Sequence, residues 1–460
     1  MDILLHSILP FFGILLGLIV IHEAGHYITA KMFGVKVLEA GVGLPPRLFG
    51  FKYKDTDYTV NAIPLGAFVR MLGEEDPSDP QSLAAQPKWK RVVIIAAGAV
   101  MNAITAVVLL TVGLMIPHPV SVGGAQISST APGSPAEQAG LMPGDQILEV
   151  NGRKAESTAD AAYLIRLNQG NSIDFLVKRV DPREGPQNLR VEDVYARWDP
   201  PPYLDECGVE RIQGPTGITI GAVSTAPVTR TPEELADLRK DSVSGFREYK
   251  GQISPEAPAW CYGGGGFGFR GLSAAQCADL GEDERAEAEA LKADLFATTG
   301  SACYVFEPGP AFEVITEDRR ESLFEAIPNG TRLAFETIIL TRNQLWSLVR
   351  GFGGTSPITG PVGIAQTTGE VVDQAGWQPL IALAASISMS LAIFNLLPIP
   401  MVDGGRLVFI FIEFIRGGKR VSPEKEALVH FMGFVALILF AVVVTYFDIV
   451  RIFNGDSLLR

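Results

Sequence analysis

Histidine is scarce in this chain, five in 460 residues, and cysteine is scarcer still, with four. Cys207, Cys261, Cys277 and Cys303 stand far apart, without the close pairing of a cysteine-built metal site. Basic residues are in the minority, 38 against 51 acidic, for a formal net charge of −13. That argues against nucleic acid as a partner, which needs a basic surface. No Lys or Arg precedes Lys31. The apolar N-terminal run therefore lacks the basic start of a cleaved signal peptide, and it lacks a small-x-small cleavage site at the right place. No internal repeat and no phosphate-binding loop is found.

Apolar residues are plentiful. They make up 47% of the chain, and the mean hydropathy is +0.22. Both values suit membrane helices combined with a water-exposed part. Four stretches approach the ~20 apolar residues a span requires: Leu4 to Ala30, Val92 to Ile116, Leu380 to Ile399 and Leu428 to Phe447. The run from Phe409 to Ile415 is too short to span and reads as an extension of the third helix. The expected fold class is a polytopic α-helical membrane protein with four transmembrane helices.

Charge is unevenly distributed. Pro117 to Arg350 holds 34 acidic and 22 basic residues, and all four cysteines. Nine Lys or Arg lie between the first two helices and five follow the third. Positive charge favours the cytoplasm. Segments 31–91 and 404–427 are accordingly expected to be cytoplasmic, and the N-terminus and the central segment extracytoplasmic. One or two disulfides are then expected in the central segment, with free thiols as the alternative; four cysteines allow three full pairings and the sequence does not choose.

The strongest local feature is His22-Glu23-Ala24-Gly25-His26. At 3.6 residues per turn, His22 and His26 share one helix face one turn apart, so two imidazoles reach one zinc ion. Glu23 lies beside that face, placed to take a proton from a water that the metal acidifies. Phe11 to Ile21 is almost wholly apolar, and an ionisable group at membrane depth costs at least ~2.5 kcal/mol, so three together need a reason. A catalytic zinc takes three protein ligands and keeps one position open. His6, His118 and His430 look peripheral, His430 as a polar helix start. Asp403 stands in NLLPIPMVDGGR, where two prolines break the third helix before a carboxylate and two glycines. Irregular backbone at membrane depth is tolerated where it lines a cavity, which makes Asp403 the expected third ligand.

These residues resemble the site-2 protease family of intramembrane zinc metalloproteases: HExxH at His22, Glu23 and His26, and N-x-x-P-x-P-x-x-D-G at Asn395, Pro398, Pro400, Asp403 and Gly404. The resemblance is closest to the bacterial regulator of sigma-E protease branch, which carries a PDZ domain between its second and third helices. Ala97-Gly98 through Asn102 resembles the family's second-helix motif, and Gly360 to Ala365 its lead into the third helix. Tyr58 to Glu75 looks like the membrane-entering β-hairpin that helps hold substrate extended. Val402 stands where the family usually has Leu, and Ala99 where many members have Pro. Residues Ile127 to about Val180 match the bacterial PDZ pattern, with a short helix at Ser134 to Ala139, a strand at Ile147 to Val150 and a turn at Asn151-Gly152; Gly217 to Val223 reads as the closing strand.

The resemblance implies zinc held by His22, His26 and Asp403, Glu23 as general base and acid, and Asn395 bonding substrate backbone. It implies single-span membrane proteins as substrates, such as anti-sigma factors or signal-peptide remnants, and peptide termini at the PDZ domain. The expected organisation is a first membrane half (1–116), the PDZ domain (117–225), a cysteine-containing insertion (226–330), a membrane-surface linker (331–378) with an amphipathic stretch from Arg332 to Val349, and a second membrane half (379–460). In the insertion, Thr231 to Lys240 and Glu282 to Phe296 read as helical and Gly263 to Gly266 as a turn. Two other classes stay open: a non-catalytic PDZ scaffold with a vestigial HExxH, and a metal-ion transporter.

Overall fold

The computed structural model describes residues 9–453 except 75, 122, 182–184, 205–209, 350–359, 376 and most of 224–315, where five short strands are described. His6 and the two helices expected at 231–240 and 282–296 lie outside the described residues. The chain forms two compact units. One comprises Met1–His118, Arg320–Thr341 and Pro357–Arg460, the other Pro119–Arg319 and Arg342–Ser356.

The first unit begins with α1 (Leu9–Met32), followed by the paired strands β1 (Val37–Tyr53) and β2 (Thr56–Met71), then α2 (Lys88–Met115). The hairpin therefore starts about twenty residues before the expected Tyr58. Gly41, Gly43 and Pro45-Pro46 interrupt the apolar alternation of β1 and hide it from a period-two reading. Val42 is the register partner of both Val60 and Ala67. The start of β1 thus has partners along both edges, and the end of β2 forms a sheet margin. Tyr27 and Tyr58 share a hydroxyl hydrogen bond of 2.6 Å, and Lys31 Nζ donates to Thr56 Oγ1 at 2.9 Å. Both contacts fasten the hairpin to α1.

The second unit is built on a sheet in the order β11-β4-β5-β7-β8. In chain order its elements are β3 (His118–Ser121), β4 (Gly124–Thr130), α3 (Pro135–Gln138), β5 (Gln146–Val150), β6 (Arg153–Lys154), α4 (Thr158–Leu167), β7 (Ser172–Asp181), β8 (Gly185–Tyr195), β9 (Pro202–Leu204), β10 (Glu210–Ile212) and β11 (Ile218–Val223). Ser134 caps α3 by accepting from the Glu137 N–H, and Ser157 caps α4 from the Asp160 N–H. Asn151 and Gly152 both have positive φ, +49° and +73°, the requirement of the tight turn joining β5 to β6. Ile127, Ile147, Val150, Ile173, Phe175 and Val177 fill one core beneath the sheet. Asp145, 1% exposed, is held by Arg179 at 2.7 and 2.6 Å. Five further strands follow: β12 (Ser242–Val243), β13 (Phe246–Tyr249), β14 (Ala259–Gly263), β15 (Gly266–Phe269) and β16 (Cys303–Phe306). They form one sheet, in which Cys261 and Cys303 are direct backbone partners. β17 (Thr316–Arg319) pairs with β3.

The chain continues through α5 (Leu323–Val349), which contains the stretch read as amphipathic, and α6 (Pro361–Ala375). It ends with α7 (Leu380–Leu396), α8 (Asp403–Ile415) and α9 (Pro423–Phe453). Leu9–Met32, Lys88–Met115 and Pro423–Val450 are long and apolar enough to cross a membrane; α7 is apolar but has 17 residues. The third helix is thus shorter than expected. Pro398 and Pro400 remove backbone donors and end it at Leu396. The run at Phe409 to Ile415 does not extend it, but belongs to the separate helix α8. Val93, Val100, Ile104 and Val108 on α2, and Phe431, Leu439 and Val442 on α9, are exposed, as suits surfaces that face lipid. Asp448 is fully buried in α9, and its carboxylate accepts from the Gly363 N–H near the start of α6 at 2.8 Å.

Candidate metal centre

The centre starts from helix geometry. His22 and His26 lie on one face of α1, both buried, with Nε2 atoms 3.1 Å apart. Small residues make room opposite them. A Cβ at Gly25 would stand 2.7 Å from Met101 Cγ, so α1 and α2 approach closely. A Cβ at Gly98 would stand 2.6 Å from His22 Nε2 and would also strike His26 Nε2. Gly98 therefore keeps open the space into which both imidazoles point.

Asp403 reaches this space from the broken helix. Met401 holds φ +83°, a backbone conformation that costs a non-glycine residue about 1–3 kcal/mol and persists only where the surroundings enforce it. Its N–H donates to His430 Nδ1 at 2.9 Å. His430 is therefore a partner of the loop that carries Asp403 and not simply a polar helix start. Gly404 and Gly405 let α8 begin against the backbone of Leu397 and Ile399; a Cβ on Gly404 would lie 2.6 Å from the Leu397 carbonyl carbon. Arg406 pairs with Glu74 at 2.8 Å, and Arg91 with buried Glu413 at 2.7 Å, tying α8 to the segment after β2 and to α2.

The result is convergence. Asp403 Oδ2 lies 3.1 Å from His22 Nε2 and 3.2 Å from His26 Nε2. Among the described residues this is a group of ligand atoms that can hold a metal ion. Three ligands placed tetrahedrally at zinc-to-ligand distances of roughly 2.0–2.1 Å stand about 3.3 Å apart, so the spacing fits. Asp403 Oδ2 is buried, with the two imidazole nitrogens as its near neighbours among the described residues. His26 Nδ1 donates to the Ile94 carbonyl at 2.8 Å, which puts its proton on Nδ1 and leaves the Nε2 lone pair for the shared point. Two imidazoles and a carboxylate are a donor set suited to zinc.

The other expected site residues fall as follows. The Glu23 carboxylate lies close enough to the backbone of Val69 on β2 to feel its N–H dipole, which brings the sheet margin to the centre. The Asn395 amide nitrogen donates back to the Leu391 carbonyl at 2.9 Å. His118 Nδ1 bonds the Ile116 carbonyl and takes no part. Motif reading did not reveal Ile94 as a partner of His26, because a backbone carbonyl leaves no mark in the sequence.

Comparisons with known proteins agree with this chemistry. The family model "Peptidase family M50" matches residues 10–440. A putative zinc metalloprotease of Thermotoga maritima is 25% identical, over 96% of this chain and 99% of its own length. One of Ralstonia nicotianae is 29% identical, over 97% and 99%. The regulator of sigma-W protease of Bacillus subtilis is 24% identical, also over 97% and 99%. With a family match over nearly its whole length, the chain belongs to peptidase family M50, the site-2 protease family, and is an intramembrane zinc metalloprotease of a multi-pass membrane protein type.

Proposed function

We propose that His22, His26 and Asp403 hold the zinc ion, that Glu23 moves the proton of peptide hydrolysis, and that the substrates are single-span membrane proteins cut within or near their spans. The observation that carries this reading is the convergence of the three ligand atoms at 3.1–3.2 Å. When bound, zinc supplies a Lewis acid that polarises a carbonyl and acidifies water. Glu23 accepts a proton at its carboxylate and later delivers it to the leaving amine nitrogen. Asn395 offers an amide to substrate backbone.

A spanning helix engages its carbonyls internally, so a substrate has to be extended before it is cut. The margin of β2 supports capture by strand addition, since its residues 67–71 pair with the start of β1 on one side and the backbone of Val69 comes near Glu23. The second unit is read as a PDZ domain. Its strand β11 lies at the sheet edge, and Ile218 shares a core with Leu164 and Ile165 of α4, the setting in which a peptide terminus adds as a further strand. Positive charge in segments 31–91 and 404–427 supports a cytoplasmic placement of both, with the N-terminus and the 117–330 segment on the far side. Glu23→Gln in the native cell tests the enzyme assignment. Membrane-bound fragments should accumulate while the variant keeps its zinc. Unchanged fragment patterns would refute the assignment of Glu23.

A further inference from the structure

Asn102 is fully buried on α2, and its side chain meets His22 on the ring edge away from the metal centre, Nδ2 lying 3.4 Å from His22 Nδ1. Its Oδ1 is also buried and has no hydrogen-bond partner among the described residues. Its backbone carbonyl accepts from Ser388 Oγ of α7 at 2.8 Å, which fixes the residue between α1 and α7. An unsatisfied carbonyl oxygen in an apolar interior is costly and calls for a reason.

The reason lies in the tautomer of His22. To present the Nε2 lone pair to a cation, a neutral imidazole must carry its proton on Nδ1. An amide NH₂ cannot accept that proton, but an amide oxygen can. Turning the Asn102 amide by half a revolution about its last side-chain bond exchanges the two atoms. Oδ1 then gains a donor and His22 Nδ1–H an acceptor. His26 already has the equivalent arrangement in the Ile94 carbonyl.

We infer that Asn102 is a positioning residue of the metal centre: its side-chain oxygen accepts from His22 Nδ1 and so selects the zinc-binding tautomer and ring orientation of His22. The inference rests on the assignment of His22 as a ligand. It predicts that an acceptor at position 102 is needed, and that the identity of the acceptor matters less than its presence.

The test is equilibrium zinc affinity of the full-length protein in detergent, measured against a competing chelator. Asn102→Leu, similar in volume and without an acceptor, should weaken zinc binding about 10–100-fold, the usual cost of losing such a partner. Asn102→Asp keeps an acceptor and should retain the affinity that Asn102→Leu loses. Wild-type affinity in Asn102→Leu, or an Asn102→Asp as weak as Asn102→Leu, overturns the inference. If Asn102→Leu does not fold, Asn102→Ala replaces it under the same criterion. A His22→Ala variant separates the two claims. Zinc retained in His22→Ala refutes the ligand assignment itself; zinc lost in His22→Ala but unchanged in Asn102→Leu refutes only the role of Asn102.

Discussion

Both units enclose apolar residues, Ile94 and Leu18 among them in the first, but the first also packs small and polar residues around its metal centre. The core of the second unit is large and apolar, with Phe175, Ile127, Ile147 and Ile173 almost completely enclosed. The interior of the first holds Gly25, Gly98, Ala97, Ala99, Asn102, Ser388 and the two histidines, while Val100, Ile104, Phe431 and Leu439 face outward. Water drives the first arrangement, because burying apolar surface is favourable there. In lipid that drive between helices is absent, and close backbone contact and interhelical hydrogen bonds take its place. Small residues on α1 and α2 therefore do two things together: they bring the helices into contact and they keep the space for a metal ion clear.

The largest expected effect comes from violating the small-residue rule of the first unit. Gly98→Val should abolish zinc binding, read as zinc content of the purified chain, because its side chain would enter the space shared by His22 and His26. Normal zinc content would show that the close helix approach is incidental. Next comes the core of the second unit. Phe175→Ala should destabilise that unit by about 3–5 kcal/mol, seen as proteolysis at lower urea, while zinc content stays unchanged. A coupled loss of zinc would show that the two interiors are not independent. Third, the opposed positions of Cys261 and Cys303 in neighbouring antiparallel strands match the separation a disulfide spans. Non-reducing peptide mapping should recover these two residues linked, with about 2–4 kcal/mol of local stability lost on reduction. Both thiols alkylated before reduction would contradict this. The smallest effect belongs to the lipid-facing side. Ile104→Ala should alter stability by no more than about 0.5 kcal/mol in a bilayer, as expected for a residue outside the packed interior.

What the sequence revealed follows from where its chemistry is local. His22, Glu23 and His26 sit within one helical turn or so, and their cost in an apolar setting marks them. Asp403 was legible because prolines and glycines announce a broken helix. The first half of the hairpin was not, since Gly41, Gly43 and Pro45-Pro46 conceal the alternation of β1. Ser134 to Ala139 and Asn151-Gly152 signalled the short helix and the turn of the second unit correctly, but α4 went unread because its apolar face is short and mixed with polar residues. The ties of Met401 to His430, of His26 to Ile94 and of His22 to Asn102 join residues far apart in the chain or use backbone atoms, so no local pattern carries them.

The centre draws its donors from opposite ends of the polypeptide, two from α1 and one from α8. During synthesis the histidine pair enters the bilayer long before residue 403 exists. On the proposed ligand set, a chain that stops short of residue 403 would bring only two of the three donors to the centre.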